Sequence, residues 1–119
     1  MFNKITVGDR EIPMKSVASV DLYYRQIFHE DPTKLQYSPD FDEAALINFC
    51  QRVGFVMAMA AQKSREEMSQ LNEDAFFEWM DEFDRAELMS ALPDIRRTYE
   101  GQTVTTSEAK KNIDQPSES

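Results

Sequence analysis

Histidine and cysteine are common in catalytic and metal sites, and this sequence has one of each, His29 and Cys50. Cys50 lies on an apolar stripe of helical period, which predicts an inert core thiol rather than a nucleophile. His29 precedes Glu30 and Asp31, a combination that could ligate a metal. At the end of a helix, however, histidine more often interacts with the helix dipole, and sequence neighbours need not share a face. We therefore expect no metal site here.

Two pairs of adjacent carboxylates, Glu66-Glu67 and Asp81-Glu82, are the remaining candidates for acid–base chemistry. Adjacent residues on a helix do not face each other, so neither pair forms a suitable general acid and base. The 3 glycines are too far apart to form a phosphate-binding loop. No zinc or EF-hand signature is present. The sequence therefore predicts no catalytic residue, no cofactor and no metal, in a protein that is not an enzyme.

Acidic residues dominate the charge, because 22 Asp and Glu outnumber 13 Lys and Arg and give a net charge of −9. Between residues 66 and 87, Arg85 is the single base, and the acidic residues are Glu66, Glu67, Glu73, Asp74, Glu78, Asp81, Glu82, Asp84 and Glu87. Such a surface repels phosphate backbones, which disfavours nucleic-acid binding. Two interpretations remain open: a solvated face that maintains solubility, or a surface for a basic partner.

No segment predicts export or membrane insertion. The N-terminus lacks a basic start followed by an apolar run, and no run approaches the roughly 18 apolar residues of a membrane span. One cysteine cannot form an intramolecular disulfide. We therefore expect a soluble protein of a reducing cytoplasm, without a membrane partner.

The N-terminal residues 1–15 have the pattern of a short β-hairpin. Apolar and polar residues alternate on both sides of Gly8-Asp9, a pair that suits a tight turn. Ser16 is the expected N-cap of a first helix, from Val17 to about His29. Asp31-Pro32 should end this helix, and a loop should extend from there to Pro39.

The second helix should begin at a capping box formed by Asp40 and Glu43 and extend to about Lys63. Its apolar residues cover more than one side, which is typical of a helix buried on both sides. Gly54 lies inside this helix, although glycine there costs about 1 kcal/mol relative to alanine. We interpret Gly54 as a point where another backbone approaches closely.

Two further helices complete the predicted fold. The third follows the polar stretch 64–70 and the N-cap Asn72, and its buried stripe is Phe76, Trp79, Met80 and Phe83. The fourth should begin at Asp84, break or kink at Pro93 and end at Gly101. The expected fold is mainly α: a short N-terminal β-hairpin and a bundle of about four helices form one domain over residues 1–101. The polar residues 102–119 should form a disordered tail.

Five apolar residues are candidates for contacts with another protein: Ile47, Phe55, Met59, Phe77 and Met89. The first three lie on the second apolar face of the second helix. Phe77 lies just off the buried stripe of the third helix. Flexible, polarizable methionine side chains such as those of Met59 and Met89 suit adaptable binding surfaces.

Four features together resemble a known family. After the strand pair, residues 24–31 read Tyr-Arg-Gln-Ile-Phe-His-Glu-Asp, similar to an aromatic-Arg-x-x-Phe-Gly-x-Asp turn, with His29 where glycine is common. The others are the apolar helix Leu46–Ala60, the segment Asn72–Phe83 with its acidic cap and Phe-x-Glu-Trp order, and a polar tail containing Lys110-Lys111-Asn112. With these features, which cover most of residues 1–112, the chain resembles the tail assembly chaperones of long-tailed (siphovirus-type) bacteriophages.

The resemblance implies a function, partners and a location. Such chaperones self-associate as homo-oligomers and coat the tape-measure protein, which keeps it soluble until tail-tube subunits polymerise around it. A longer form made by ribosomal frameshifting often recruits the tail-tube protein. They act in the cytoplasm of the bacterial host and are absent from the finished tail. The alternative is an acidic helical adaptor or inhibitor that binds a basic host or phage protein.

Overall fold

A computed structural model describes residues 1–104 of the chain. Its first element is the predicted hairpin, in which β1 (Phe2–Val7) pairs antiparallel with β2 (Arg10–Lys15). Val7 faces Arg10 across the turn, and Gly8 has a φ of +63°. A positive φ at the first turn residue alone fits a type II′ turn, whose twist matches that of the strands. The inward-facing apolar side chains are buried: Ile5, Val7, Ile12 and Met14.

The first helix begins later than the sequence predicts, and the loop after it contains a second helix. Helix α1 spans Ser19–Phe28, and its N-cap Ala18 makes no side-chain hydrogen bond. The predicted cap Ser16 is wrong, because its hydroxyl donates to the carbonyl of Tyr99 instead (3.1 Å). Helix α2 spans Pro32–Gln36, with Asp31 accepting hydrogen bonds at its N-terminus. Proline ends one helix here and occupies the first position of the next, where its missing N–H has no cost.

Helix α3 (Glu43–Gln62) is the centre of the molecule. Its N-cap is Asp42, which accepts a hydrogen bond from the amide of Ala45, rather than Asp40. Both sides of α3 are buried, as predicted, against β2, α1, α5 and α6. The expected close approach at Gly54 involves a side chain rather than a backbone, because a Cβ there would lie 3.2 Å from two carbons of Ile95.

The polar stretch after α3 contains a helix that the sequence analysis missed. Helix α4 (Arg65–Met68) begins with a capping box between Ser64 and Glu67. Met68 is its buried residue and anchors this turn to the core. A four-residue helix is too short to show a helical period, so only the capping box could have indicated it.

The last two helices follow the prediction more closely. Helix α5 (Glu73–Met80) is capped by Asn72, and helix α6 (Arg85–Tyr99) is capped by Asp84. Of the break or kink predicted at Pro93, the break does not occur, because α6 continues through this residue, and the kink stays a prediction. Pro93 lies on the exposed side of α6, where water can satisfy the carbonyl that loses its helical partner.

The C-terminal part of the described chain is attached to the hairpin. The buried side chain of Asn3 donates to Thr98 Oγ1 and to the carbonyl of Gln102, both at 2.9 Å, and accepts from the amide of Val104 at 3.3 Å. Residues 102–104 therefore belong to the folded domain, contrary to the predicted tail boundary. The predicted disorder of residues 105–119 lies outside the described residues.

The fold is mainly helical with an N-terminal hairpin, as predicted, and within residues 1–104 it has six helices, two of them short. Of the helices described, α3 alone has the length and mean hydropathy (1.4) of a membrane span, and half of that stretch is buried in the protein. The central helix of a soluble core has these same properties.

Candidate protein-binding surfaces

Two of the five predicted binding residues lie in the core, so their interpretation as surface residues is wrong. Phe55 is 1% exposed, and its ring packs against Phe76 (5.7 Å between centroids) and Trp79 (5.8 Å) of α5. Met59 is 8% exposed and lies beside Trp79 and Ile12 of β2. The part of the second apolar face of α3 that contains Phe55 and Met59 therefore packs against elements of the same chain. A helical pattern shows that a face is buried but cannot show whether its partner is internal.

Ile47 and Met89 are both partly exposed, and the fold brings them together between α3 and α6. They line an open groove of about 480 Å³, here called the α3–α6 groove. Its lining residues are Leu46, Ile47 and Cys50 from α3, Met89, Leu92, Pro93, Arg96 and Arg97 from α6, and Glu100 and Gln102 after it. The groove combines an apolar floor with charged groups at one end.

Two arginines and one glutamate, Glu100, supply that charge, so the positive charge is in excess. Arg96 Nε lies 3.3 Å from Glu100, and Arg97 Nη1 lies 2.6 Å from Asp94, while the side chains of both arginines remain about half exposed (51% and 52%). A guanidinium has five N–H donors, so one contact of this kind leaves it able to bind a further carboxylate. These cationic groups stand out in a chain with a net charge of −9.

Cys50 lies at the bottom of the groove and is 3% exposed. Burial raises the pKa of its thiol from 9.0 to about 11, and the nearby charge of Arg96 only partly opposes this. At neutral pH the group is therefore a protonated thiol, which is a poor nucleophile and a weak metal ligand. The predicted core position of Cys50 is confirmed.

Phe77 lies on a second surface. It is 59% exposed, although its ring packs at 5.4 Å on that of buried Phe76. Residues three or four positions away on a helix share a face, which places Glu73, Asp74 and Asp81 around Phe77. All three are exposed. We call these four residues the Phe77 patch, an apolar knob among carboxylates.

The groove and the patch lie on different sides of the molecule. Cys50 faces the groove, whereas Phe55, five residues later on α3, faces α5, which carries the patch. Five residues correspond to about 140° around a helix. A single copy can therefore offer both surfaces to partners at the same time.

The acidic residues of the segment 66–87 are exposed. All nine of its carboxylate residues between positions 66 and 87 are exposed. Glu82 pairs with Arg10 of β2 at 3.2 Å, with both side chains about half exposed. Contacts of this kind are weak in water, so the face keeps its strongly negative potential.

Several groove residues were missed by sequence reasoning. Leu46 and Leu92 were not among the predicted contact residues, although both line the groove. Arg96-Arg97 was the available signal, because two adjacent bases are unusual in so acidic a chain. Exposed apolar residues also occur singly on other elements, at Phe2, Leu22 and Tyr37.

The candidate metal residues are not assembled into a site. Within residues 1–104, no group of three or more His, Cys, Asp or Glu side chains could hold a metal ion. His29 is exposed at the C-terminal end of α1, with a φ of 57°.

Comparison with protein families, with curated proteins and with solved structures gives no match for this chain.

Proposed function

We propose that this chain is a tail assembly chaperone of a long-tailed phage. It self-associates, binds the tape-measure protein in the host cytoplasm and keeps that protein soluble until tail-tube subunits assemble around it. The finished virion does not contain it. The proposal combines the resemblance of residues 1–112 with the surfaces described above.

The observation that carries the proposal is the pair of apolar surfaces on different sides of α3. The α3–α6 groove and the Phe77 patch expose apolar groups that a monomer gains nothing by leaving in water. A protein with two such surfaces can join further copies through them, and several linked copies on one long client gain avidity. The exposed acidic face would keep the resulting coat soluble.

The first test is the gene locus, read across the Lys110-Lys111 codons and past Ser119. A slippery run, an overlapping reading frame and a following gene for a very long helical protein are expected. An isolated gene without these features would contradict the proposal.

The second test is co-expression with that long helical protein. We expect the client to be mostly insoluble alone and mostly soluble with the wild-type chain. A chain carrying both Phe77→Ala and Met89→Glu should lose this effect, because it lacks both surfaces. Ser90→Glu is the matched control, since Ser90 is exposed on α6 and does not line the groove. Equal solubility of the client with and without the chain would contradict the proposal.

The second candidate function is an acidic adaptor or inhibitor of a basic protein. The nine exposed carboxylates between positions 66 and 87 favour it. It predicts a single small species in size-exclusion chromatography and binding to a basic partner that weakens steeply with salt. Replacing Glu66, Glu78 and Glu87, which are exposed and outside the Phe77 patch, with glutamine would weaken such binding but would leave the client solubility of a chaperone largely intact.

A further inference from the structure

The two exposed surfaces are complementary in shape and in charge. The groove is an apolar depression with Arg96 and Arg97 at one end. The Phe77 patch is an aromatic knob among Glu73, Asp74 and Asp81. We infer that the groove of one copy binds the Phe77 patch of a second copy, which makes this contact the self-association interface. The inference deepens the self-association part of the proposed function.

Apolar fit is the first argument. Phe77 is 59% exposed, and burying a phenylalanine ring is among the most favourable contacts a surface residue can make. The groove volume of about 480 Å³ falls within the roughly 300–1,000 Å³ typical of binding clefts. Its lining includes the apolar residues Leu46, Ile47 and Leu92, and Met89 adds a flexible side chain that can close around a ring.

Charge is the second argument. Two copies with a net charge of −9 repel each other at most orientations. Repulsion is relieved where the guanidinium groups of Arg96 and Arg97 meet the carboxylates around Phe77. Arginine binds carboxylates through paired hydrogen bonds, which also fixes the orientation of the contact.

Geometry gives the form of the assembly. The groove and the patch are different surfaces on different sides of α3, so the contact is heterologous rather than two-fold symmetric. Heterologous contacts leave one groove and one patch unoccupied in every open oligomer, and they form rings or filaments according to the rotation between copies. The assembly therefore grows with protein concentration.

A mixing experiment with the full chain tests the inference by sedimentation velocity. Phe77→Ala removes the knob and retains the groove, whereas Met89→Glu blocks the groove and retains the knob. Each variant alone should remain at the monomer mass of 13.8 kDa at concentrations where the wild type forms larger species. Mixed in equal amounts, they should form a 1:1 complex of twice that mass and nothing larger. Ser90→Glu should associate like the wild type.

Arg96→Glu is a second groove variant, and it leaves the apolar floor intact. It replaces Met89→Glu if circular dichroism shows that Met89→Glu reduces folding. It should weaken association at least tenfold and should also be rescued by Phe77→Ala protein in a 1:1 complex. A mixture that stays monomeric, a variant that dimerises alone, or a wild type that is monomeric at all concentrations overturns the inference. Client solubility is read separately, so a soluble client with a monomeric wild type would overturn this interface alone.

Discussion

His29 shows how one residue can carry local strain. It ends α1 in the left-handed conformation, with a φ of 57°, and its amide donates to the carbonyl of Arg25. Residues with a Cβ pay about 1–2 kcal/mol for this conformation, and glycine does not. Because glycine also loses more entropy on folding, we expect His29→Gly to stabilise the protein by about 0.5–1 kcal/mol. Urea unfolding followed by circular dichroism measures this change.

His29→Ala is the control for that prediction. Alanine removes the imidazole but retains the Cβ, so it should give no gain or a small loss. Equal stabilisation by alanine and glycine would show that the histidine side chain, rather than backbone strain, is responsible.

Cys50 provides a prediction about alkaline pH. Burial raises the pKa of its thiol from 9.0 to about 11, so folding favours the protonated form. The contribution of the protonated thiol to the free energy of unfolding is complete below pH 9 and is lost as the pH rises through 11. The stability difference between the wild type and Cys50→Ala should therefore be constant from pH 6 to 8 and shrink from pH 9 to 11. Urea unfolding at each pH measures it.

The same residue can be tested by its reactivity. A thiol that is 3% exposed and protonated should react with a thiol reagent far more slowly in the native protein than in urea. A stability difference that stays constant to pH 11, together with fast native labelling, would contradict the assignment of Cys50 as a buried thiol.

At the scale of elements, the strong local signals predicted the fold well. The alternation around Gly8-Asp9 gave the hairpin, and the caps Asn72 and Asp84 marked the starts of α5 and α6 correctly. The failures occurred where local chemistry permits two outcomes. Asp31-Pro32 ends α1 but also begins α2, and Ser16 has a hydroxyl that hydrogen-bonds a distant carbonyl instead of capping a helix. Such choices depend on tertiary contacts, which a local pattern does not contain.

Gly54 is a packing point between α3 and α6. Gly54→Ala should gain about 1 kcal/mol of helix propensity. The new Cβ would lie 3.2 Å from Cδ1 and Cγ2 of Ile95, which is fully buried and cannot withdraw, and such overpacking costs about 1–3 kcal/mol. We therefore expect a net loss of about 1 kcal/mol in the free energy of unfolding.

The effect of Gly54→Ala on the free energy of unfolding should change sign when the side chain of Ile95 is removed. Ile95→Ala alone should cost about 2–5 kcal/mol, because it leaves a cavity. In that background, Gly54→Ala should stabilise the protein by about 1 kcal/mol, since the new methyl group has space and the propensity gain remains. Thermal or urea unfolding of the four proteins gives this double-mutant cycle. A Gly54→Ala effect of the same sign in both backgrounds would show that Ile95 does not govern this position.

At the scale of the whole molecule, the sequence indicated part of the binding surface. Ile47 and Met89 are 42 positions apart in sequence, and the crossing of α3 and α6 brings them into one groove. Phe55 has the same apolar character as these residues, but α5 covers it. Whether an apolar side chain is covered depends on which elements pack together. Composition and helical period therefore identify candidate apolar residues, but they do not show which of these the fold covers.

The two ends of the described chain are joined through Asn3, which sets the domain boundary beyond Gly101. A chain that ends at Gly101 loses the carbonyl of Gln102 and the amide of Val104, two of the three partners of the Asn3 side chain. A buried polar group without its partners costs about 1–3 kcal/mol. We expect the chain ending at Gly101 to be less stable than the chain ending at Val104 by about 1–2 kcal/mol, as measured by urea unfolding.

Asn3→Ala, made in both shortened chains, separates this cause from other effects of the deletion. If the lost stability comes from the unsatisfied side chain of Asn3, the difference in stability between the chains ending at Gly101 and at Val104 should fall to well under 1 kcal/mol in the alanine background. No buried amide is then left unsatisfied. An unchanged difference would mean that residues 102–104 stabilise the fold through the bond from the amide of Gln102 to the carbonyl of Arg97 (2.8 Å) and the packing of Val104 on the core. In the first case the hydrogen bonds of the Asn3 side chain attach residues 102–104 to the hairpin. In the second these residues are a continuation of α6, and their attachment would persist without the hairpin side chain.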